Sequence, residues 1–541
     1  MKRIMTILFL VWLLAGCGED FLNRYPTQYQ VIESFYKTPE DGQEALTAAY
    51  NMLLYDDWWS NYIMSEIMSD NCAGGAGSAD AGNHFQLWDR AIQWPEATAN
   101  QDIWQYYYGG IYRANTYLEY ESFIDWTGNE KLQLQFQAEA RFLRAHYHFY
   151  LARMFGEIPA LDHTLKPDEI PPRTPAEDLY YMILSDFKFC AENGLAAPYG
   201  SMDPENQGRA TKWAAEAMIA RIYLFYSGYY NDPELKEFTA ADAQGYIDDV
   251  ISNSNHALVP EFASLWRVPA ISELGGDTSL SQYAGETNPE ALWAVRFETS
   301  GNQFQWLQRM IGPRNTNIDP YGQGWGAMPV LPTFWNAFEA GDKRKTASIL
   351  SWDDEGLVYD YTTQTQAQYT GYNVKKYDIV SVNGRPEAQP NWQIDCFEDY
   401  VLMRYADVLL MAAELHLING DNATAVTLVN KIRERAFGDN THNYASVTIE
   451  DIIKERRFEL AFEGLRYWDI LRMCKGDFSK LVPILTYVDP NDDGEMSQTA
   501  DPFSLDVDGN NFVAKKGLCQ IPDNEINLMN GVIEQNPGYE K

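Results

Sequence analysis

Basic residues are scarce in this chain. Its 541 residues include 41 Lys and Arg against 77 Asp and Glu, a formal net charge of −36. Such a polyanion repels nucleic acid and holds too few cations to release its counterions. The same balance excludes electrostatic docking on anionic lipid. Cysteine is sparse too. Beyond Cys17 the chain has Cys72, Cys190, Cys396, Cys474 and Cys519 and no C-x-x-C pair, which excludes a zinc framework and a dense disulfide scaffold. One or two bridges stay open in an oxidising compartment, and the odd count leaves at least one thiol free or unusually paired. No G-x-S-x-G, Walker A or H-E-x-x-H motif occurs. After the first residues, no segment reaches the ~18 uninterrupted apolar residues of a membrane-spanning helix.

The start of the chain carries a targeting pattern. Lys2 and Arg3 precede an apolar run from Ile4 to Leu14, too short to span a bilayer and suited to a signal peptide. Leu14-Ala15-Gly16-Cys17 resembles a bacterial lipobox, which implies loss of residues 1–16 and acylation of Cys17. The lipid is then the expected membrane attachment. Gly18-Glu19-Asp20 resembles the surface-export signal of some outer-membrane lipoproteins.

Hydrophobic residues make up 45 % and charged residues 22 %, as in an ordinary globular protein. Several segments have helical periodicity. Leu132, Phe136, Ala140, Leu143, Tyr147, Tyr150 and Met154 recur at spacings of three and four, as do Ala214, Met218, Ile222 and Phe225. Leu402, Tyr405, Leu409 and Ala412 follow suit, ending at Asn419-Gly420. Asp421 or Asn422 can then cap a partner helix with Ala425, Val429, Ile432 and Ala436 inward. Paired helices joined by tight turns are tetratricopeptide-type units that stack to share a core. Four such pairs are expected, near 41–123, 129–191, 211–252 and 400–436. An irregular insertion over 256–399 is rich in Gly, Pro, Trp, Asn and Gln, with one alternating strand candidate in 290–299. A C-terminal helix over 448–473 leads into loops to 541. Long irregular insertions in a helical scaffold are more often functional than idle.

These pieces resemble a known family. AEARFLRAHYHFYLARMFG (Ala138–Gly156), WAAEAMIARIYLFY (Trp213–Tyr226), MRYADVLLMAAE (Met403–Glu414), VNKIRERA (Val429–Ala436) and KERRFELAFEGLRYWDILR (Lys454–Arg472) are similar to motifs of the SusD/RagB family. GQGWGAMP (Gly322–Pro329) and SDNCAGG (Ser69–Gly75) also fit. The resemblance implies a mainly α fold. A tetratricopeptide-like right-handed helical scaffold of about four pairs would carry an irregular ligand-binding insertion, in one domain over 17–541. It implies an outer-membrane lipoprotein facing the cell exterior. Such a protein captures oligosaccharide, hands it to a SusC-like TonB-dependent transporter barrel, and does no chemistry itself. No cofactor is implied. Some relatives take peptides, so peptide cargo is the alternative.

Glu455 and Glu459 lie one turn apart and would be the acid/base pair of a glycoside hydrolase reading. Interspersed arginines favour ion pairs within the helix instead, Arg456 with Glu459 and Glu463 with Arg466. His146 and His148, two apart on a helix, point away from each other and cannot share a metal. Asp489-Pro490-Asn491-Asp492-Asp493-Gly494 begins like a calcium loop, but Ala500 stands where the bidentate Glu belongs; a looser calcium site stays open. Gly322, Gly324 and Gly326 precede prolines, not a helix, so they are expected to let Trp325 project from a compact turn. Helix aromatics such as Phe142, Tyr147 and Phe225 are expected in the core. Trp88, Trp94, Tyr283, Trp306, Trp325 and Trp335 sit among Asn, Gln, Asp, Arg and Gly, a mixture that suits a sugar. By analogy with the family's ligand segments, Trp88, Tyr283, Trp306 and Trp325 are the expected aromatic contacts. Asp70, Asn71 and Arg314 are the expected hydrogen-bonding contacts.

Overall fold

A computed structural model of the chain describes residues 35–56, 61–77, 82–91, 98–275, 280–297, 305–363, 365–381, 396, 398–489, 491–492 and 502–539. The leader, Cys17, Trp94 and much of the 489–500 acidic turn lie outside them.

Eight helices form the scaffold. They are α1 (Pro39–Tyr50), α2 (Thr98–Tyr120), α3 (Glu130–Phe155), α4 (Ala176–Asn193), α5 (Lys212–Tyr229), α6 (Ala240–Asn253), and, after a long insertion, α8 (Tyr405–Ile418) and α9 (Asn422–Phe437). A short insertion helix, α7 (Trp306–Ile311), intervenes. Each scaffold helix packs on the next, and α6 packs directly on α8 despite the residues between them. This is a tetratricopeptide-like stack of four pairs.

The local causes are visible at the ends. Thr38 and Asp41 close a capping box on α1, with Pro39 in the first turn. Thr211 accepts from Ala214 N at the start of α5, and Asp421 from Thr424 N at the start of α9. Gly438, at φ +85°, ends α9 in the left-handed region. One apolar cluster runs through the stack, including Leu46, Trp104, Phe142, Leu184, Phe225, Ile247, Leu409 and Val429.

Two expected elements differ in the structure. The last predicted pair does not begin at residue 400. Tyr400–Arg404 is a strand, β4, antiparallel to β1 (Ala291–Val295), with Ala291 opposite Arg404 and Val295 opposite Tyr400. All five residues of β1 are buried, so its pattern does not report one wet face. Trp293 packs edge-on against Phe142 of α3 at 4.6 Å, while Ala291 and Ala294 meet Tyr199 and Met202 on the other side. A second small sheet in the insertion pairs β2 (Ile349–Ser351) with β3 (Tyr372–Val374). The predicted helix over 448–473 is two helices, α10 (Ile449–Glu459) and α11 (Arg466–Met473). Between them Phe462 and Gly464 sit at φ +61° and +72°, which no helix accommodates.

The charges on α10 pair across elements, not along the helix. Arg404, 4 % exposed, reaches Glu290 at 2.7 Å, Glu459 at 2.6 Å and Glu463 at 2.7 Å. Arg435 contacts Glu290 at 2.6 Å and also pairs with Glu459. Arg344 holds Glu455 at 2.6 Å and Glu459 at 3.2 Å. Lys376 Nζ donates to Glu463 at 2.9 Å and to the Glu459 and Ala461 carbonyls at 3.0 Å. Alongside, Asp407 of α8 pairs with Arg221 of α5 and Arg456 of α10. Glu455 and Glu459 are fully buried and locked to arginines, which removes them as an acid/base pair.

Elsewhere His148 accepts from Leu161 N at 3.0 Å and binds the Arg144 carbonyl through Nδ1 at 2.9 Å, while His146 stacks near Tyr150 at 4.2 Å. The two histidines serve separate core contacts. Cys72, Cys190, Cys396, Cys474 and Cys519 are buried free thiols, so none of them forms a bridge.

Burial opposes ionisation of Glu459 and Asp407, but the facing guanidiniums outweigh it. Glu459 is held well below its ordinary 4.5, and Asp407 is lowered from 3.8 to about 2. Depressed carboxylates stabilise the fold above their ordinary values and lose that contribution as pH falls through the folded values. Urea denaturation of Glu459→Gln is expected to show a loss of ~3–5 kcal/mol at neutral pH. Wild-type stability should fall steeply between about pH 4 and pH 2, and less steeply in this variant.

Candidate ligand-binding site

The insertion presents an aromatic face built on α7. Gln305 caps this helix, its side chain accepting from Gln308 N at 3.2 Å. The Arg309 guanidinium lies 3.5 Å from the centroid of the Trp306 ring and 5.2 Å from that of Trp325. The two indoles are 6.3 Å apart at 57°, and both are half-buried. Trp325 is placed by its backbone. Its N–H donates to the Arg309 carbonyl at 2.8 Å, and its carbonyl accepts from Arg314 Nη1 at 3.0 Å. Gly326, at φ +74°, would drive a Cβ to 2.8 Å from Arg314, so glycine is required there. This is the compact turn expected of the 322–326 segment.

The Arg314 turn connects to a second aromatic group. Asn315 donates to the Thr363 carbonyl at 3.1 Å, and Gln366 N donates to the Tyr359 hydroxyl at 2.9 Å. Tyr359 stacks on Tyr369 at 3.7 Å and 21°, with Tyr361 edge-on at 4.8 Å from Tyr359. Tyr361 is 45 % exposed. These tyrosines were missing from the sequence expectation, although they share the criterion applied to the tryptophans, a ring in a non-periodic segment rich in Thr, Gln and Gly.

Of the expected contacts, Trp306, Arg314 and Trp325 come together here. The other four are placed elsewhere. Asp70 pairs with Arg466 at 2.7 Å and Arg457 at 3.0 Å. Burial disfavours its charge, but these arginines hold its carboxyl below the usual range. Asn71 is fully buried between Glu66 (3.2 Å) and Arg457 (2.9 Å). Trp88 is 3 % exposed and packs on Phe85. Tyr283 lies under the Arg267 guanidinium, beside Glu286 and Glu398. That cluster touches α7 from behind, since Gln308 Nε2 donates to Glu398 at 3.2 Å. Trp335 is buried against Tyr372. Among the described residues no group of acidic, His and Cys side chains could hold a metal ion.

The loops behind Trp325 are tied by one buried acid. Asp89 Oδ2 accepts from Gly74 N at 2.9 Å and from Gln368 Nε2 at 2.8 Å, while Gln368 Oε1 accepts from Gly75 N at 2.8 Å. Ala76 N then donates to the Gly326 carbonyl at 2.7 Å.

Comparison with known proteins follows the same map. The SusD family model matches residues 356–539, and a second model, starch-binding associating with outer membrane, matches residues 20–224. A SusD-like protein of Formosa agariphila is 25 % identical over 575 aligned positions, covering 99 % of this chain and 100 % of its own. The chain belongs to the SusD-like family. The starch-binding protein SusD of Bacteroides thetaiotaomicron is 23 % identical over 65 % of this chain and 67 % of its own. Among solved structures, surface glycan-binding protein A from Bacteroides uniformis aligns at a TM-score of 0.73 with 25 % identity, over 93 % of this chain and 100 % of its own. The SusD-like scaffold accounts for the helical pairs, and the two family models flank an insertion that holds α7 and Trp325.

Burial raises the Asp89 carboxyl from 3.8 to about 7. A raised carboxyl stabilises the fold at low pH and loses that contribution as pH rises through the folded value. Wild-type stability, measured against Asp89→Asn in parallel urea titrations, should therefore decline between about pH 4 and pH 7. A pH-independent difference between the two proteins would refute this.

Proposed function

We propose that this protein captures a neutral oligosaccharide on the face formed by Trp306, Trp325, Tyr359 and Tyr361. The observation that carries the proposal is this set of partly exposed rings on a SusD-like scaffold, the two indoles held by the Arg309 guanidinium and the tyrosines by Tyr369. A ring packs against the C–H face of a sugar, and Arg314 and nearby amides meet its hydroxyls. Each ring is locked by neighbours before a ligand arrives, so little entropy is lost on binding. The names of relatives agree: a starch-binding protein and a surface glycan-binding protein share the scaffold.

The rest of the role follows the family. Acylation at Cys17 anchors the chain in the outer membrane on the cell exterior, and captured glycan passes to a SusC-like TonB-dependent transporter. Outer-membrane association agrees with the description of the family model over 20–224. The protein binds without hydrolysing, in keeping with the arginine-locked Glu455 and Glu459.

Titration calorimetry against neutral oligosaccharides, starch- and laminarin-derived chains included, tests the reading. Trp325→Ala and Trp306→Ala should each weaken binding at least tenfold, ~1.4 kcal/mol. Chain length should be unchanged after long incubation. No binding of any glycan by the wild-type protein would overturn the proposal.

A further inference from the structure

A separate cavity of about 310 Å3 lies between α1, the 205–209 turn and the end of β1, sharing no lining residue with the aromatic face. This volume is at the small end of ligand pockets, which run from about 300 to 1,000 Å3. Leu46, Leu53 and Val295 give it an aliphatic lining, and Arg209 and Arg296 stand in its wall.

Both arginines are held from behind by buried acids. Arg209 Nη1 donates to the two oxygens of Glu139 at 3.1 and 2.9 Å, and Glu139 is fully buried. Arg296 Nε lies 2.7 Å from Asp399, itself 1 % exposed, and its Nη1 donates to Gln207 Oε1 at 2.9 Å. The turn between them closes tightly. Gly208 is at φ +90°, and a Cβ there would lie 2.9 Å from Arg296. These contacts orient the donors without exhausting them. Arg209 Nε and Nη2 and Gln207 Nε2 have no acceptor among the described residues.

Charge decides the ligand class. Each arginine is matched by its own carboxylate, and Glu205 adds an acid to the lining. The cavity therefore offers fixed N–H donors with no net positive charge, which gives an anion little to gain. Hydroxyl groups need only the donors, and the aliphatic lining accepts the C–H face between them. We propose that this cavity is a second binding site, for a small neutral saccharide of one or two rings. It is independent of the aromatic face and needs none of its residues.

The test uses the full chain carrying Trp325→Ala, which weakens the first site. Saturation-transfer NMR is run with glucose, galactose, mannose, xylose, maltose and cellobiose as probes. At least one sugar should show transfer. Thr47 is an exposed residue of α1 that lines the cavity, so Thr47→Trp can fill it from the rim without disturbing the core. Adding this change should reduce transfer at least fivefold. Gln207→Ala, on a partly exposed turn, provides a second variant and should reduce it at least threefold. The proposal is overturned if no probe shows transfer to a folded Trp325→Ala protein, or if transfer survives both cavity variants. Failure of the aromatic-face reading shows separately, as wild-type calorimetry insensitive to Trp325→Ala.

Discussion

The buried salt-bridge network around Arg404 and Glu459 is the constraint on which the rest of the structure depends. Glu290 precedes β1, Arg344 belongs to the insertion, Arg404 ends β4, Arg435 lies on α9 and Glu459 ends α10. Five segments distant in sequence meet at one set of charges. Burying such charges is costly, and the cost is offset only when every partner is in place. The network therefore adds directional contacts between the insertion and the helical stack, which non-directional apolar packing does not supply.

That fixed junction places the aromatic face. The insertion has little regular structure of its own, so its loops need external registration. β1 and β4 anchor it at one end, and Lys376 ties the segment after β3 to α10. Between these anchors, the Asp89 and Gln368 tie positions the chain behind Trp325, and Glu398 holds α7 from below. Irregular loops so registered can present rigid rings, and rigid rings bind without a large ordering penalty.

Some of this was legible in the sequence and some was not. The four helical pairs were readable because their signals are local: periodic Leu, Ile and Ala, with the turn at Asn419-Gly420 and the cap at Asp421. The break after Glu459 was hidden, since the apolar pattern through Phe458, Ala461 and Leu465 continues across Phe462 without a proline. The partners of Glu459 were also invisible. Arg344 and Arg404 lie far away in sequence, whereas Arg456 stands nearby and invites the wrong pairing. The compact turn that places Trp325 was readable from the glycines around it. Trp88 has a similar neighbourhood but ends a short helix, Gly82–Trp88, and turns inward against Phe85, because composition cannot tell which face of an element meets water.

The order in which the network's members are synthesised has a consequence for how the chain matures. Glu290, Arg344, Arg404 and Arg435 all precede Glu459 and Glu463 along the chain. Until α10 emerges, Arg404 and Arg435 share the single acid Glu290 and Arg344 has Asp342, so the cluster lacks Glu455, Glu459 and Glu463. A nascent chain can form its early helical pairs before the acids that complete this cluster have been made. Completion of the charge cluster therefore waits for the segment that carries Glu459 and Glu463, and the junction between insertion and stack is among the last parts of the fold to be neutralised.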